Sequence, residues 1–391
     1  MKIINKILRY IGYILFRPIW WLERLVPRSK NIWVFGAWYG QKYSDNSKWL
    51  YEYVMEHNPE IKVVWITKNK TICEQLHCNN KTIYMSSSIQ GIWYCLRAKF
   101  ILLTSTQNDV NKLFINGAKQ IWLWHGMPLK KIVYCGEYVN ISFLRKILNP
   151  YDTVKPYATL TSSDFFTPFL EKAFRLPDKQ IWKIGLPRCD VLNSQKQDHL
   201  AIKIRKQFKN AKIYLYMPTF RMLSTMDGIP FTPFIEKFKF DEKEFVDFLE
   251  QENIVFLFKP HFVDSSVNVQ IASSRFMYIT DNDFDDLYVL LNSVDVLLTD
   301  YSSVYFDFLA TKKNVYLLTF DYEEYTNTSR SHFFNMFDKM HGIFCYNWND
   351  FYNKVSKSHL CNNGLEEDRI KFAQYLKGNS CEELVKILKA L

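Results

Sequence analysis

Short, continuously apolar runs recur along this chain, each followed by a longer polar or amphipathic stretch, and this alternation limits the architecture more than any single motif. The first series predicts strands over Ile32–Trp38, Lys62–Thr67, Lys81–Met85, Phe100–Thr104, Gln120–Trp124, Tyr157–Ser162 and Ile181–Gly185. A second series reads "KIYLYMPTF", "NIVFLFKPH", "RFMYIT", "VDVLLTDYSS" and "NVYLLTFD", with segments of helical length such as "DEKEFVDFLEQ" between them. Several runs lack the two-residue alternation of a half-exposed strand, and strands buried on both faces of a parallel sheet read that way. Strands separated by helices predict α/β architecture. The polar stretch "SQKQDHLAIKIRKQFKN" carries no strand run and divides the series near residue 195. With 391 residues there is chain enough for two such domains, expected at 31–195 and 196–391 and facing one another across a cleft.

The first thirty residues stand apart. They carry seven Lys or Arg against Glu23 alone, within a chain whose formal net charge is +10. Lys2, Lys6, Arg9, Arg17, Arg24 and Arg28 recur at helical spacing opposite Ile3, Ile7, Leu8, Ile11, Ile14, Leu15, Ile19, Leu22 and Leu25. The pattern predicts an amphipathic, membrane-associating segment over 1–30, kinked at Pro18, on an anionic surface. The alternative is a helix packed on its own domain with Trp20 and Trp21 in the core. No stretch here reaches the roughly 20 apolar residues needed to cross hydrocarbon. Eight scattered cysteines without paired spacing indicate neither a disulfide framework nor a thiolate metal site, and fit a reducing, cytoplasmic location.

Polar residues at the ends of the apolar runs are the candidates for chemistry. In "IWLWHGMPLKK", His125 is either a packing residue at a strand end or an imidazole presented to substrate. In "VDVLLTDYSSVYFDFLA" a strand ends at Asp300, and Ser302 and Ser303 precede a helical run whose free backbone amides favour phosphate. Ordinary capping by Asp300 and Ser302 explains the same residues. Asp307, four residues after Ser303, is expected on the same helix face, bonding back toward it. "YLYMPTFR" supplies Thr219 and Arg221, "FLFKPH" supplies Lys259 and His261, "KIGLPRCD" supplies Arg188 and Asp190, and "TSRSHFF" supplies Arg330. Such fixed cations suit a multiply charged phosphate ligand. His332, His57, His77, His199 and His341 read as incidental, surface or structural. No GxGxxG, P-loop or HExxH motif occurs, which disfavours dinucleotide oxidoreductases, P-loop ATPases and a catalytic metal. No helix-turn-helix, finger or basic-aromatic pattern points to nucleic acid.

Taken in order, "WHGMPLKK", "GLPRCD", "YMPTFR", "FKPH" and "LLTDYSSVYFDF" resemble the CDP-glycerol:poly(glycerophosphate) glycerophosphotransferase family of teichoic acid primases and polymerases, also used in capsule synthesis. The resemblance covers roughly residues 30 to 345. It implies a GT-B-like fold of two Rossmann-like domains, acceptor side first and nucleotide-donor side second. It further implies transfer of glycerol phosphate, or ribitol phosphate, from a CDP-activated donor to a hydroxyl of a lipid-linked cell-wall or capsule glycopolymer, with release of CMP. CDP-glycerol or CDP-ribitol is then a donor substrate and not a cofactor, and the expected location is peripheral, at the cytoplasmic face of the cell membrane. By the same resemblance His125 is the catalytic base and His261 the second essential histidine, on the donor phosphates. Ser302 and Ser303 are implied as pyrophosphate ligands supported by Asp300 and Asp307, and Thr219, Arg221, Lys259 and Arg330 as donor-binding residues. The sequence departs from the family after "DYEEY", where an Arg-Gly and a Pro-Gly pair are missing, and at Met127, where a small residue is common. A nucleotide-sugar glycosyltransferase, or a non-catalytic protein binding anionic membranes or nucleic acid, are the other readings.

Overall fold

The apolar runs form parallel strands, as burial on both faces demands. A computed structural model describes residues 11–12, 18, 21–79, 81–136, 154–192, 194–219, 240–260, 269–328, 331–357 and 364–391. The chain divides into two units: 1–125, 132–188 and 379–391 make the first, and 126–131 with 189–378 make the second. Residues 379–391, expected with the second domain, thus count with the first, and the division falls at 188/189 instead of near 195.

In the first unit β1 (Ser29–Gly36), β2 (Lys62–Thr67), β3 (Ile83–Met85), β4 (Ala98–Leu103), β5 (Lys119–Trp122), β6 (Ala158–Leu160) and β7 (Ile181–Trp182) form one sheet in the order β3-β2-β1-β4-β5-β6-β7. Every pairing is parallel. Trp33, Val34, Phe35, Val64, Trp65, Ile66, Ile101, Leu102 and Leu103 have no solvent exposure. Side chains of this size each contribute about 1.5–3 kcal/mol on burial. The helix Asp45–His57 presents Leu50, Tyr51 and Val54 to the sheet at helical spacing. Tyr51 lies edge-on to Phe35 and Trp65 at 5.4 and 5.9 Å.

The second unit holds β8 (Lys212–Tyr216), β9 (Ile254–Phe258), β10 (Phe276–Tyr278), β11 (Val296–Thr299), β12 (Asn314–Leu318) and β13 (Ile343–Cys345) in the parallel order β10-β9-β8-β11-β12-β13. Its core is aromatic, with Tyr216, Phe245, Phe256, Phe258, Trp348 and Phe351 packed together. The edge strand β13 is not foreseen in the sequence.

Each sheet reverses its strand order once, between β1 and β4 in the first unit and between β8 and β11 in the second. Loops at the carboxyl ends of strands flanking such a reversal are where open α/β sheets bind ligands. Gly36 closes β1 at the first of these points. A side chain there would meet Val110 Cγ1 at 2.6 Å and the Asp109 carbonyl at 2.7 Å, so only glycine lets the loop approach.

Most of the expected amphipathic helix, residues 1–10, 13–17 and 19–20, lies outside the described residues. Where the segment is described, Trp21, Leu22 and Leu25 are exposed, so Trp21 is no core residue. Glu23 and Arg28 are instead the residues that dock on the first unit. Glu23 is buried and accepts the Asn116 N–H at 3.1 Å, while Arg28 Nη1 donates to the carbonyls of Cys95 and Ala98 at 2.8 and 2.9 Å. Among the described residues no helix is long and apolar enough to cross a membrane.

Candidate functional site

In the first unit the chain leaves β5 at Trp122, and the Leu123 N–H continues the pairing with the Leu103 carbonyl at 2.7 Å. Trp124 then turns left-handed (φ 59°) and Gly126 follows at φ 128°. Between them His125 is partly exposed. Its ring stacks on Trp124 at 4.4 Å and sits 5.1 Å from Trp38. Trp38, Tyr39 and Asp45 are also left-handed (φ 46°, 58° and 68°). Non-glycine residues in this region are uncommon and persist only where the surroundings hold them. Asp109 supplies part of that hold. Its two oxygens accept the N–H groups of Tyr39 at 2.7 Å and Ser105 at 2.6 Å, joining the loops after β1 and β4. Burial pushes the Asp109 carboxyl up to about 7 despite those two bonds and the nearby Lys68.

The second unit joins its two loops in the same manner. Asp300, after β11, accepts the Thr219 N–H with both oxygens at 2.9 and 3.1 Å and the Tyr301 N–H at 2.6 Å. Ser302 and Ser303 follow, partly exposed, at the start of the helix Val304–Phe308, and the Ser302 hydroxyl lies 3.4 Å from the Val304 N–H. Because β9, β8 and β11 are neighbours and parallel, Lys259, Thr219 and Asp300–Ser303 all leave the sheet at one end. Lys259 Nζ pairs with Asp281 Oδ1 at 2.9 Å, so this cation is already partnered. Asp307 departs from expectation: it is fully buried, and its Oδ2 accepts the Tyr288 hydroxyl at 2.6 Å, which anchors the helix to Leu287–Ser293.

His332 is less incidental than its sequence context suggests. It pairs with Lys130 across a short antiparallel bridge, with its ring 6.4 Å from Tyr301 and 6.1 Å from Tyr325. Burial, reinforced by Lys130, pushes its pKa down to about 4 and keeps it neutral. The bridge holds the strap 126–131 against 331–333, with Lys131 N–H on the Ser331 carbonyl at 2.9 Å and Phe333 N–H on the Leu129 carbonyl at 2.8 Å. His261, Arg221 and Arg330 lie outside the described residues.

Asp198, His199 and Asp285 bring one potential metal-ligand atom each within 4.8 Å of one another. Both oxygens of Asp198 already accept N–H groups, from Leu200 and Asp285 at 2.9 Å each, so the cluster serves as a helix cap. Arg188, expected among the cations for a phosphate ligand, is buried against Asp45, with Nη1 2.8 Å from Oδ1. Asp45 and Asn46 escaped notice in the sequence because a Ser-Asp-Asn run before a helical stretch reads as ordinary capping.

Residues 20–389 match the CDP-Glycerol:Poly(glycerophosphate) glycerophosphotransferase family. The chain is 25% identical over 331 residues to the teichoic acid poly(glycerol phosphate) polymerase of Bacillus spizizenii, covering 80% of this chain and 79% of that one. It is 33% identical over 235 residues to the teichoic acid ribitol-phosphate polymerase TarL of Staphylococcus aureus, covering 55% and 38%. A solved structure of the wall teichoic acid polymerase TagF, a histidine-to-asparagine variant with CDPG, matches with a TM-score of 0.76 at 20% identity, over 99% of this chain and 97% of that one. That likeness is one of fold, and two α/β units on parallel sheets are consistent with a GT-B-like architecture. Since the family match runs through both units, the chain belongs to the CDP-glycerol:poly(glycerophosphate) glycerophosphotransferase family.

Proposed function

We propose that this protein transfers a polyol phosphate, glycerol phosphate before ribitol phosphate, from a CDP-activated donor to a hydroxyl of a lipid-linked cell-wall or capsule glycopolymer. The observation that carries the reading is the family match over residues 20–389, which contains every strand-end motif. In this reading residues 31–195 are the acceptor side and 196–391 the donor side of a GT-B-type transferase. His125 takes the proton of the acceptor hydroxyl. The hydroxyl oxygen forms a bond to the phosphorus that bears the polyol, the pyrophosphate bond breaks, and CMP leaves with the electron pair. The partly exposed residues Ser302 and Ser303 carry hydroxyls that suit a pyrophosphate ligand, on a loop held by Asp300 and Thr219. His261, Lys259, Arg221 and Arg330 are proposed to offset donor charge, and Asp307 to brace the helix behind the loop. Peripheral attachment through residues 1–30 to the cytoplasmic face of the cell membrane brings the enzyme to its lipid-linked acceptor.

A panel of CDP-glycerol, CDP-ribitol and nucleotide sugars, assayed for nucleotide release with lipid-linked acceptors, tests the reaction. CMP release from a CDP-polyol is expected; release of UDP or GDP from a nucleotide sugar would replace the reading with glycosyl transfer, and turnover of no donor would sink both. His125→Ala should keep donor binding and lose most transfer.

A further inference from the structure

We infer that Asn46, with the buried pair Asp45 and Arg188, is the positioning unit that orients His125. Asn46 has no solvent exposure. Its Nδ2 donates to the Trp124 carbonyl at 2.7 Å and lies 3.5 Å from that of Leu123, while its Oδ1 accepts the Arg188 N–H at 3.0 Å. Asp45 Oδ1 closes the network, accepting the Asn46 N–H at 2.7 Å and Arg188 Nη1 at 2.8 Å. Three segments distant in sequence are thereby tied: the start of the helix Asp45–His57, the turn after β5 and the loop after β7.

The Trp124 carbonyl shares a rigid peptide plane with the His125 nitrogen. Fixing the direction of that oxygen therefore fixes the plane from which the His125 side chain departs. A bulky residue at φ 59° returns to a commoner conformation unless something restrains it. The short amide of Asn46 is suited to the task because it donates to one segment and accepts from another at once. An aspartate of the same shape offers Trp124 an oxygen in place of the donor. Arg188 and Asp45 keep the site closed as a partnered ion pair, exposed by only 5% and 7% at their side chains.

The inference rests on His125 being the base, and the test separates the two. Transfer by the full chain is measured for wild type, His125→Ala, Asn46→Asp and Asn46→Ser, with donor affinity from CDP-glycerol binding and folding from circular dichroism. In parallel, ¹⁵N-histidine spectra are recorded, the His125 signal being assigned by its loss in His125→Ala. Asn46→Asp should lower kcat about a hundredfold, the scale on which a misplaced reacting group acts, with donor affinity changed by less than about threefold and the His125 signal displaced. Asn46→Ser, smaller and neutral, should do the same to a lesser degree, and serves if the aspartate variant does not fold. Transfer surviving His125→Ala overturns the base assignment. Transfer lost in His125→Ala but unchanged in a folded Asn46 variant, with an unmoved His125 signal, overturns the positioning role.

Discussion

Asp300 accepts the backbone N–H of Thr219, 81 residues earlier, on both of its carboxylate oxygens. The bond ties the loops after β8 and β11 where the strand order reverses, as Asp109 ties the loops after β1 and β4. Asp300→Ala leaves the N–H groups of Thr219 and Tyr301 without their acceptor, at roughly 1–3 kcal/mol each. Tm should fall, and the donor KM should rise about tenfold or more as the serine-bearing loop loosens, since tenfold corresponds to about 1.4 kcal/mol. Asp300→Asn, retaining one acceptor oxygen, should fall between. A donor KM unchanged in Asp300→Ala would show that the loop does not hold the donor.

Stability should decline toward alkaline pH because of Glu23. Burial raises its carboxyl from 4.5 to about 8, outweighing the Asn116 N–H and the charges of Arg28 and Arg24. Between those two values the folded protein keeps a proton on Glu23 that the unfolded chain has released. The associated stability is complete below about pH 4.5 and disappears as pH rises through 8, amounting to at most about 5 kcal/mol. Glu23→Gln should raise Tm at pH 8 and leave it nearly unchanged at pH 4.5. Equal effects at the two values would show that Glu23 is ionised in the fold.

Membrane attachment should depend on residues before the docked pair Glu23 and Arg28. A chain lacking residues 1–20 keeps both anchors on the first unit and should fold, yet bind anionic vesicles several-fold less tightly in a flotation assay. Double substitution of the exposed Trp21 and Leu22 by Ser should weaken binding further. Undiminished binding by the shortened chain would assign the membrane contact elsewhere.

The apolar runs were sufficient to locate twelve of the thirteen strands among the described residues, because two-sided burial leaves a continuous mark on the sequence. Family order likewise drew attention to His125 and the Asp300–Ser303 turn. Other features were invisible in one dimension. Arg188 reads as a cation for phosphate until the fold buries it on Asp45, and Asp307 reads as a partner for Ser303 until Tyr288 takes its oxygen. His332 carries no motif, and its neutrality arises from burial beside Lys130.

The sequence by itself determined the α/β class, the parallel sheets and the family chemistry, since strand burial and short motifs are local along the chain. Only the tertiary structure decided which polar groups are spent on holding the loops. Hydrogen bonds such as Asn46 to Trp124 and Asp300 to Thr219 join residues 78 and 81 positions apart. Their partners are chosen by sheet topology, and no local pattern encodes that choice.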